Sequence, residues 1–452
     1  MWPLKTILYF GAFWVACAMS LLNPIWGLIN YMIVYQTDPT ATWWGLPLVD
    51  LGMRFSLLAA GFTMLGMIVA RRRMPKIRSA FGWWEFGVCA LFAIAAINTL
   101  TGLEYGPSAR WNFEKLWKLL LFALILGRLA ASRENIKLVL WTLVIGSLHI
   151  GYDAYTAPLG AFVLGRLENV GGPDFSTTSG AAAHLSAMLP LIGAVFLTTK
   201  HWRWKLVAGL SGALTVNAII MCRTRSAFIG LVVGALIALL AAPRARRYRI
   251  HIFLIAGALT AFSLTDDHFW KRMGTLIDSQ VMATDLATVS RQEIWVASLH
   301  ILADYPLGIG VGNFPRVIGD YDERHYKRST HNSVVVCFVE LGIQGGVVFL
   351  SLFFGSLFLI YRCTRLAPGT RDPLETQILA YGMLISLVTY FVTALGTQRF
   401  YCESFWWVMI LPLSLYRLTV AERAALVEVP EPVAGPMPEN EGLTDRVLPY
   451  GI

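Results

Sequence analysis

Again and again this chain runs for roughly 18–22 residues with hardly a charge. A helix of that length, rising about 1.5 Å per residue, crosses a hydrocarbon layer of about 30 Å. Inside lipid a backbone N–H or C=O without a partner costs several kcal/mol, so such runs must be helices. Clear runs lie near 52–70, 82–100, 114–130, 137–156, 179–198, 204–221, 226–242, 249–265, 332–360, 375–396 and 402–419. Residues 5–35 add one more apolar stretch, broken at Asn23-Pro24, which reads as one kinked span or a tight pair. The expected architecture is an all-α polytopic membrane protein, a bundle of about twelve transmembrane helices.

A mean hydropathy of +0.57 with 14% charged residues excludes a soluble domain. The first run lacks a small-residue cleavage site and more spans follow it, so no cleavable signal peptide is expected. Cys17, Cys89, Cys222, Cys337, Cys363 and Cys402 lie apart with no C-x-x-C spacing, which argues against a zinc site or a disulfide framework. The net charge of +9 is explained by membrane topology and anionic headgroups rather than by nucleic acid.

Basic residues fall in every second loop: Arg71, Arg72 and Arg73 with Lys76 and Arg78; Arg128, Arg133 and Lys137; Lys200, Arg203 and Lys205; Arg244, Arg246, Arg247 and Arg249; Arg362, Arg365 and Arg371. The positive-inside rule assigns that face to the cytoplasm. Both termini are then cytoplasmic if the first stretch crosses once. The chain divides into a transmembrane domain, 1–420, and a tail, 421–452, whose Pro430, Pro432, Pro436 and Pro438 among scattered acids predict disorder. Within the domain, 266–331 forms one large extracytoplasmic, partly helical loop before the third-last span.

Several cations oppose this charge rule. Arg223 and Arg225 sit in a short external turn, where arginine is disfavoured without a partner. Snorkelling to headgroups would explain them. An anion site explains more, because Arg225 opens the next span and its guanidinium can share a phosphate with free helix N–H groups. Arg110, Lys115 and Lys118 gather at the outer start of another span. Lys118 is expected to face the bundle, and Lys115 reads equally as an interface anchor. Asp174 reads as a turn residue, and Arg399 and Glu403 as a pair across the last external turn.

In the large loop, apolar residues recur at helical spacing after Arg291, which predicts an amphipathic helix along the membrane surface with Trp295 one turn on. Gly308, Gly310 and Gly312 after Pro306 mark a bend, since no βαβ pattern surrounds them. His331 stands at the membrane lip. With Thr330 as N-cap, the positive helix end would keep its imidazole neutral, the state a general base requires.

Together these residues resemble the O-antigen ligase and polymerase superfamily of bacterial envelope enzymes. His331-Asn332, nine residues, Gly342, two residues and Gly345, with Glu340 inside the spacer, is similar to that family's H-[NSQ]-x9-G-x-x-G pattern. Arg291-x-x-x-Trp295 resembles its R-x-x-x-W element, and the stretch Asp304–Phe314 its Pro/Gly-rich run. Arg225 to Ile229 resembles its R-x-x-x-L element, with isoleucine for leucine. Asn23-Pro24 and the Lys118 region are similar, more weakly, to exosortase-associated O-glycosylation ligases.

The resemblance implies transfer of a glycan from an undecaprenyl-pyrophosphate carrier to a lipid, glycan or protein acceptor, at the periplasmic face of a bacterial inner membrane. It further implies inversion at the anomeric carbon and no metal, nucleotide sugar or other cofactor. On this reading His331 is catalytic. Arg225, Arg291, Arg223 and Lys118 bind the donor pyrophosphate, and Asn332, Glu340 and Trp295 support them. Ligase and repeat-unit polymerase differ only in acceptor, and the sequence leaves both open. A lipid-linked oligosaccharide flippase would also show about twelve spans, but should spread its cations through a central cavity between related halves. The short Asp320-x-Asp322 match could bind a divalent cation, but Arg324, Lys327 and Arg328 around it favour a self-paired cluster.

Overall fold

The computed structural model describes residues 2–71, 82–103, 106–274 and 286–427. Arg72, Arg73, Lys76 and Arg78 of the first basic cluster, and the tail beyond Val427, lie outside the described residues. The described residues are about 80% helical. It begins with α1 (Leu4–Ser20) and α2 (Ile25–Thr37), and the break between them falls at Asn23-Pro24. The short α3 (Leu46–Val49) leads into α4 (Phe55–Val69). Then come α5 (Trp83–Thr101), α6 (Pro107–Leu129) and α7 (Arg133–Tyr155). A small antiparallel hairpin follows, β1 (Phe162–Val163) and β2 (Arg166–Leu167), which the all-helical expectation did not include.

Beyond the hairpin run α8 (Thr178–Thr198), α9 (Trp202–Cys222), α10 (Arg225–Ala241), α11 (Arg247–Leu264) and α12 (Asp267–Gly274). The large loop contributes α13 (Leu286–Asp304) and α14 (Phe314–Tyr321). The chain closes with α15 (Ser333–Leu366), α16 (Pro373–Ala394) and α17 (Glu403–Val427).

Among the described residues seven helices, α5, α7, α8, α9, α15, α16 and α17, are long and apolar enough to cross a membrane. Counting the bent pair α11 and α12 as one span gives up to eight. The other runs read as crossings fall short for visible reasons. The apolar helices α1, α4 and α10 have only 15–17 residues. The longer α6 carries Arg110, Glu114, Lys115 and Lys118 in its first half.

Close packing around the centre relies on small residues. Gly230 and Gly234 of α10 press their backbone against Thr393 and Thr389 of α16, and Gly382 of α16 meets Ala194 of α8. With no water to expel between helices in lipid, such close approach supplies the dispersion contacts that hold spans together. α17 is almost wholly buried: Phe405 and Trp406 pack on Phe349 of α15, and Trp407 packs on Tyr35 of α2 and Phe122 of α6.

At the other end of the bundle from the large loop, Arg133 clamps three helices. Its Nε and Nη2 donate to Glu422 at 2.7 and 2.6 Å, and its Nη1 to Glu375 at 2.8 Å. Glu422 also accepts from the Arg371 backbone N–H at 3.1 Å. The tail boundary expected at 421 is therefore seven residues early, since α17 continues to Val427 and Glu422 is buried. Truncation after Val427 should leave thermal stability in detergent unchanged. Truncation after Val420, or Glu422→Ala, should cost about 3 kcal/mol by leaving Arg133 without its main partner.

Candidate active site

Two groups of cations meet at the end of the bundle that carries the large loop. The first surrounds the turn between α9 and α10. Arg223 ends α9 with a left-handed φ of 47°, and Arg225 is the first residue of α10. This reversal sends both side chains into a cavity of about 310 Å³ lined by Leu164, Arg166, Arg223, Arg225, His268, Lys271 and Arg272. Arg223 donates to the Gly165 carbonyl at 2.6 Å and pairs with Asp266. Arg166 reaches the Cys222 carbonyl at 3.4 Å and Thr224 Oγ1 at 3.3 Å, tying the hairpin to the same turn. Lys271 and Arg272 arrive on α12, which turns 107° away from α11 and so lies across its end.

The second group surrounds His331. Thr330, His331 and Asn332 form a tight turn in which Thr330 Oγ1 donates to the Asn332 carbonyl at 2.8 Å and accepts from its N–H at 3.2 Å. His331 itself adopts a left-handed φ of 49°. The helix begins at Ser333, and Asn332 is its cap, accepting from the N–H groups of Val334 at 2.9 Å and Val335 at 3.1 Å. The cap expected at Thr330 is thus displaced by two residues, because the left-handed turn at His331 delays the helix to Ser333, where the Asn332 amide oxygen takes the first free N–H groups.

The imidazole of His331 is pushed down to about 4, first by burial and then by the nearby charges of Arg291, Arg328 and Arg399. Burial and these arginines, rather than the helix end, are what keep it neutral. One turn beyond Arg291, the indole N–H of Trp295 donates to the Thr330 carbonyl at 2.9 Å. The R-x-x-x-W spacing thereby ties the arginine-bearing helix to the residue beside His331. The apolar face expected to lie on the membrane is used inside the protein. Ile294, Ala297 and Ile301 of α13 pack on Ile309, Phe314, Val317, Ile318 and Val339.

Glu340 explains the Gly-rich bend. Its carboxylate accepts from the Phe314 N–H at 3.3 Å and from the Tyr401 hydroxyl. At Gly342 the helix breaks, with φ at 74° and ψ at −179°. The break frees the carbonyls of Val339 and Glu340, which accept from Ile309 and Gly310 N–H at 3.0 Å each. A Cβ on Gly342 would collide with the Leu307 carbonyl carbon and sit at a strained φ. Gly342→Ala should therefore cost at least about 2 kcal/mol in unfolding and loosen the bend, read by proteolysis of 306–314.

Lys118 does not line the cavity. It is 42% exposed at its side chain and pairs with Glu114 on its own helix. Its neighbour Lys115 instead pairs with Asp174, whose other oxygen accepts from Tyr35 at 2.6 Å. Burial would raise the Asp174 carboxyl, but Lys115, Tyr35 and Arg399 hold it below the usual range. Asp174 is thus a buried hub rather than a plain turn residue. Arg399 donates from Nη1 to the Asp174 carbonyl at 3.0 Å, and Glu403 accepts from Tyr31 at 2.7 Å, so each has a partner other than the one expected.

The two cation groups are joined by the turn 395–402. Gly396 packs against Ser226, next to Arg225. Thr330 Oγ1 lies 3.4 Å from Gln398 Oε1, and the Arg399 N–H donates to Ser333 Oγ at 2.7 Å. Arg225 thus lines the cavity, whereas Arg291 and His331 sit together on the other side of this turn. Three residues of the cavity, Arg166, Lys271 and Arg272, had no local sequence signal, coming from a hairpin and a short helix far apart in the chain.

Glu293, Asp322 and His325 bring three ligand-type atoms within 4.8 Å of one another. Arg324 pairs with Asp322 at 2.7 Å and Glu293 at 3.3 Å, so the group reads as the self-paired cluster expected around Asp322.

Residues 210–350 match the family model described as O-antigen ligase. The match contains Arg223, Arg225, Arg291, Trp295, His331, Asn332 and Glu340, and stops short of Lys118, Arg166 and Arg399. No curated protein matches the chain.

Proposed function

We propose that this multi-pass membrane protein, whose residues 210–350 match the family model described as O-antigen ligase, moves a glycan from an undecaprenyl-pyrophosphate carrier to an acceptor hydroxyl, at the outer face of the bacterial inner membrane. The termini lie in the cytoplasm and the crossings number about twelve, with the short apolar helices and α6 counted. The observation that carries the reading is a neutral, half-buried imidazole beside Arg291, joined through one turn to a cavity walled by cations.

In the proposed reaction the acceptor oxygen attacks the anomeric carbon opposite the pyrophosphate. A new C–O bond forms, the old one breaks, and its electron pair leaves on undecaprenyl pyrophosphate. His331 takes the hydroxyl proton. Arg225, Arg223 and Arg291 stabilise the charge growing on the leaving group, the part a divalent cation plays elsewhere. Asn332 and Trp295 fix the His331 turn, and Glu340 holds the bend beneath it. Attack from the opposite side inverts the anomeric centre. Lys118 reaches the donor only if its pairing with Glu114 is exchanged.

Purified protein in liposomes, given a lipid-linked glycan and acceptor, should form the glycoside in EDTA as well as in Mg²⁺. Loss of transfer in EDTA that Mg²⁺ restores would overturn the metal-free mechanism, and translocation of the donor without transfer would favour a flippase. Gene deletion separates the two acceptor classes. Unattached glycan of normal length marks a ligase for lipid or protein, whereas short unpolymerised units mark a polymerase.

A further inference from the structure

The two-residue hairpin turn Leu164-Gly165 has positive φ at both positions, as a type I′ turn requires, yet a leucine fills the first of them. Leu164 adopts φ of 50°, a left-handed conformation that a branched side chain resists, and it is 96% exposed. It buries nothing, yet it stands on the rim of the cationic cavity beside Arg166 and Arg223. Leu159, at the foot of the same hairpin, is 91% exposed. The turn is held in place from below, by Arg223 on the Gly165 carbonyl and by Arg166 on Cys222 and Thr224.

The cavity lining contains five arginine or lysine side chains, a histidine and this one leucine, with no carboxylate among them. An inorganic anion would use the cations and leave the leucine idle. An amphiphile with a diphosphate head and an apolar chain uses both. We propose that the hairpin is the carrier-lipid rim of the site: Arg166 and Lys271 extend the diphosphate site beyond the arginines of the turn, and Leu164 with Leu159 contacts the first isoprene units. This rests on the functional reading above and names where the carrier's head meets its chain.

The test uses the full-length protein in phosphatidylcholine nanodiscs, with farnesyl pyrophosphate and inorganic pyrophosphate as probes. Wild type should bind the farnesyl compound at least about tenfold more tightly, the scale of burying part of an apolar chain. Leu164→Asn tolerates the left-handed turn, so the protein should be as thermally stable as wild type. It should lose most of the farnesyl preference while keeping its affinity for inorganic pyrophosphate. Arg166→Gln should weaken both ligands about tenfold.

Equal affinity for the two probes in wild type, or an unchanged preference in Leu164→Asn, would overturn the proposal. So would displacement of farnesyl pyrophosphate on moving to nanodiscs rich in phosphatidylglycerol, which would make the cavity a phospholipid headgroup site. His331→Ala is the control for chemistry. If wild type binds as described yet transfers no glycan, the functional reading fails while the rim assignment stands.

Discussion

Replacing His331 with alanine is expected to lower glycan transfer by about 10²–10⁴-fold, the usual contribution of a positioned proton acceptor. The protein should still insert and bind donor. The turn around His331 is held by Thr330, Asn332 and Trp295 through bonds that do not use the imidazole. The pH profile sharpens the test. An ordinary histidine protonates near 6.5, whereas this one stays neutral down to about 4. The acid limb of kcat/KM should therefore fall near pH 4, leaving transfer flat from pH 8 to 5. Stability has the same sign: an unfolded chain takes up the proton below about 6.5 and the folded one does not. Stability contributed by the neutral ring is thus lost as pH falls from about 6.5 towards 4. The alanine variant should show a smaller fall in melting temperature across that window. A variant that transfers glycan at the wild-type rate would remove His331 as base.

Arg225→Gln should reduce kcat/KM by about 10²–10³, the loss seen when one donor to a developing oxyanion is removed. Arg225→Lys should recover little, since a single ammonium cannot reproduce the two-pronged contact with a diphosphate. If Arg225 and His331 act on one transition state, the double variant should be scarcely worse than His331→Ala alone. Full additivity of the two losses would show that the two residues act independently of each other rather than as a unit. Normal donor affinity and turnover in both Arg225→Gln and Arg291→Gln would refute the clamp.

Much of this arrangement could be read from the chain because its signals are local. A proline after asparagine at 23–24 breaks a helix wherever it falls, and apolar runs of span length admit only helices. Arg291 and Trp295 lie one turn apart, so their shared face needs no tertiary knowledge. What escaped were features decided by packing. Lys115 and Lys118 sit one turn apart, and only the position of Asp174 decides which one turns inward. Thr330 and Asn332 are both good caps, and the backbone turn at His331 selected the second. Arg166 could not be grouped with Lys271 and Arg272, because more than a hundred residues and four helices separate them in sequence. The residues after Val420 look like the start of a polar tail until Glu422 is seen locked to Arg133. The crossing count was the least legible property, since α1, α4 and α10 are apolar but short.

The break at Gly342 has a practical consequence for engineering. The short upper rod, Ser333 to Leu341, belongs mechanically to the external segment, because the 306–314 bend is stitched to its freed carbonyls and to the Glu340 carboxylate. The lower rod belongs to the bundle. A chimera that exchanges only the segment before His331 would cut through this stitching, whereas one that takes everything from Asp266 through Gly345 carries it intact. Grafts made at the second boundary should express and insert where those made at the first do not.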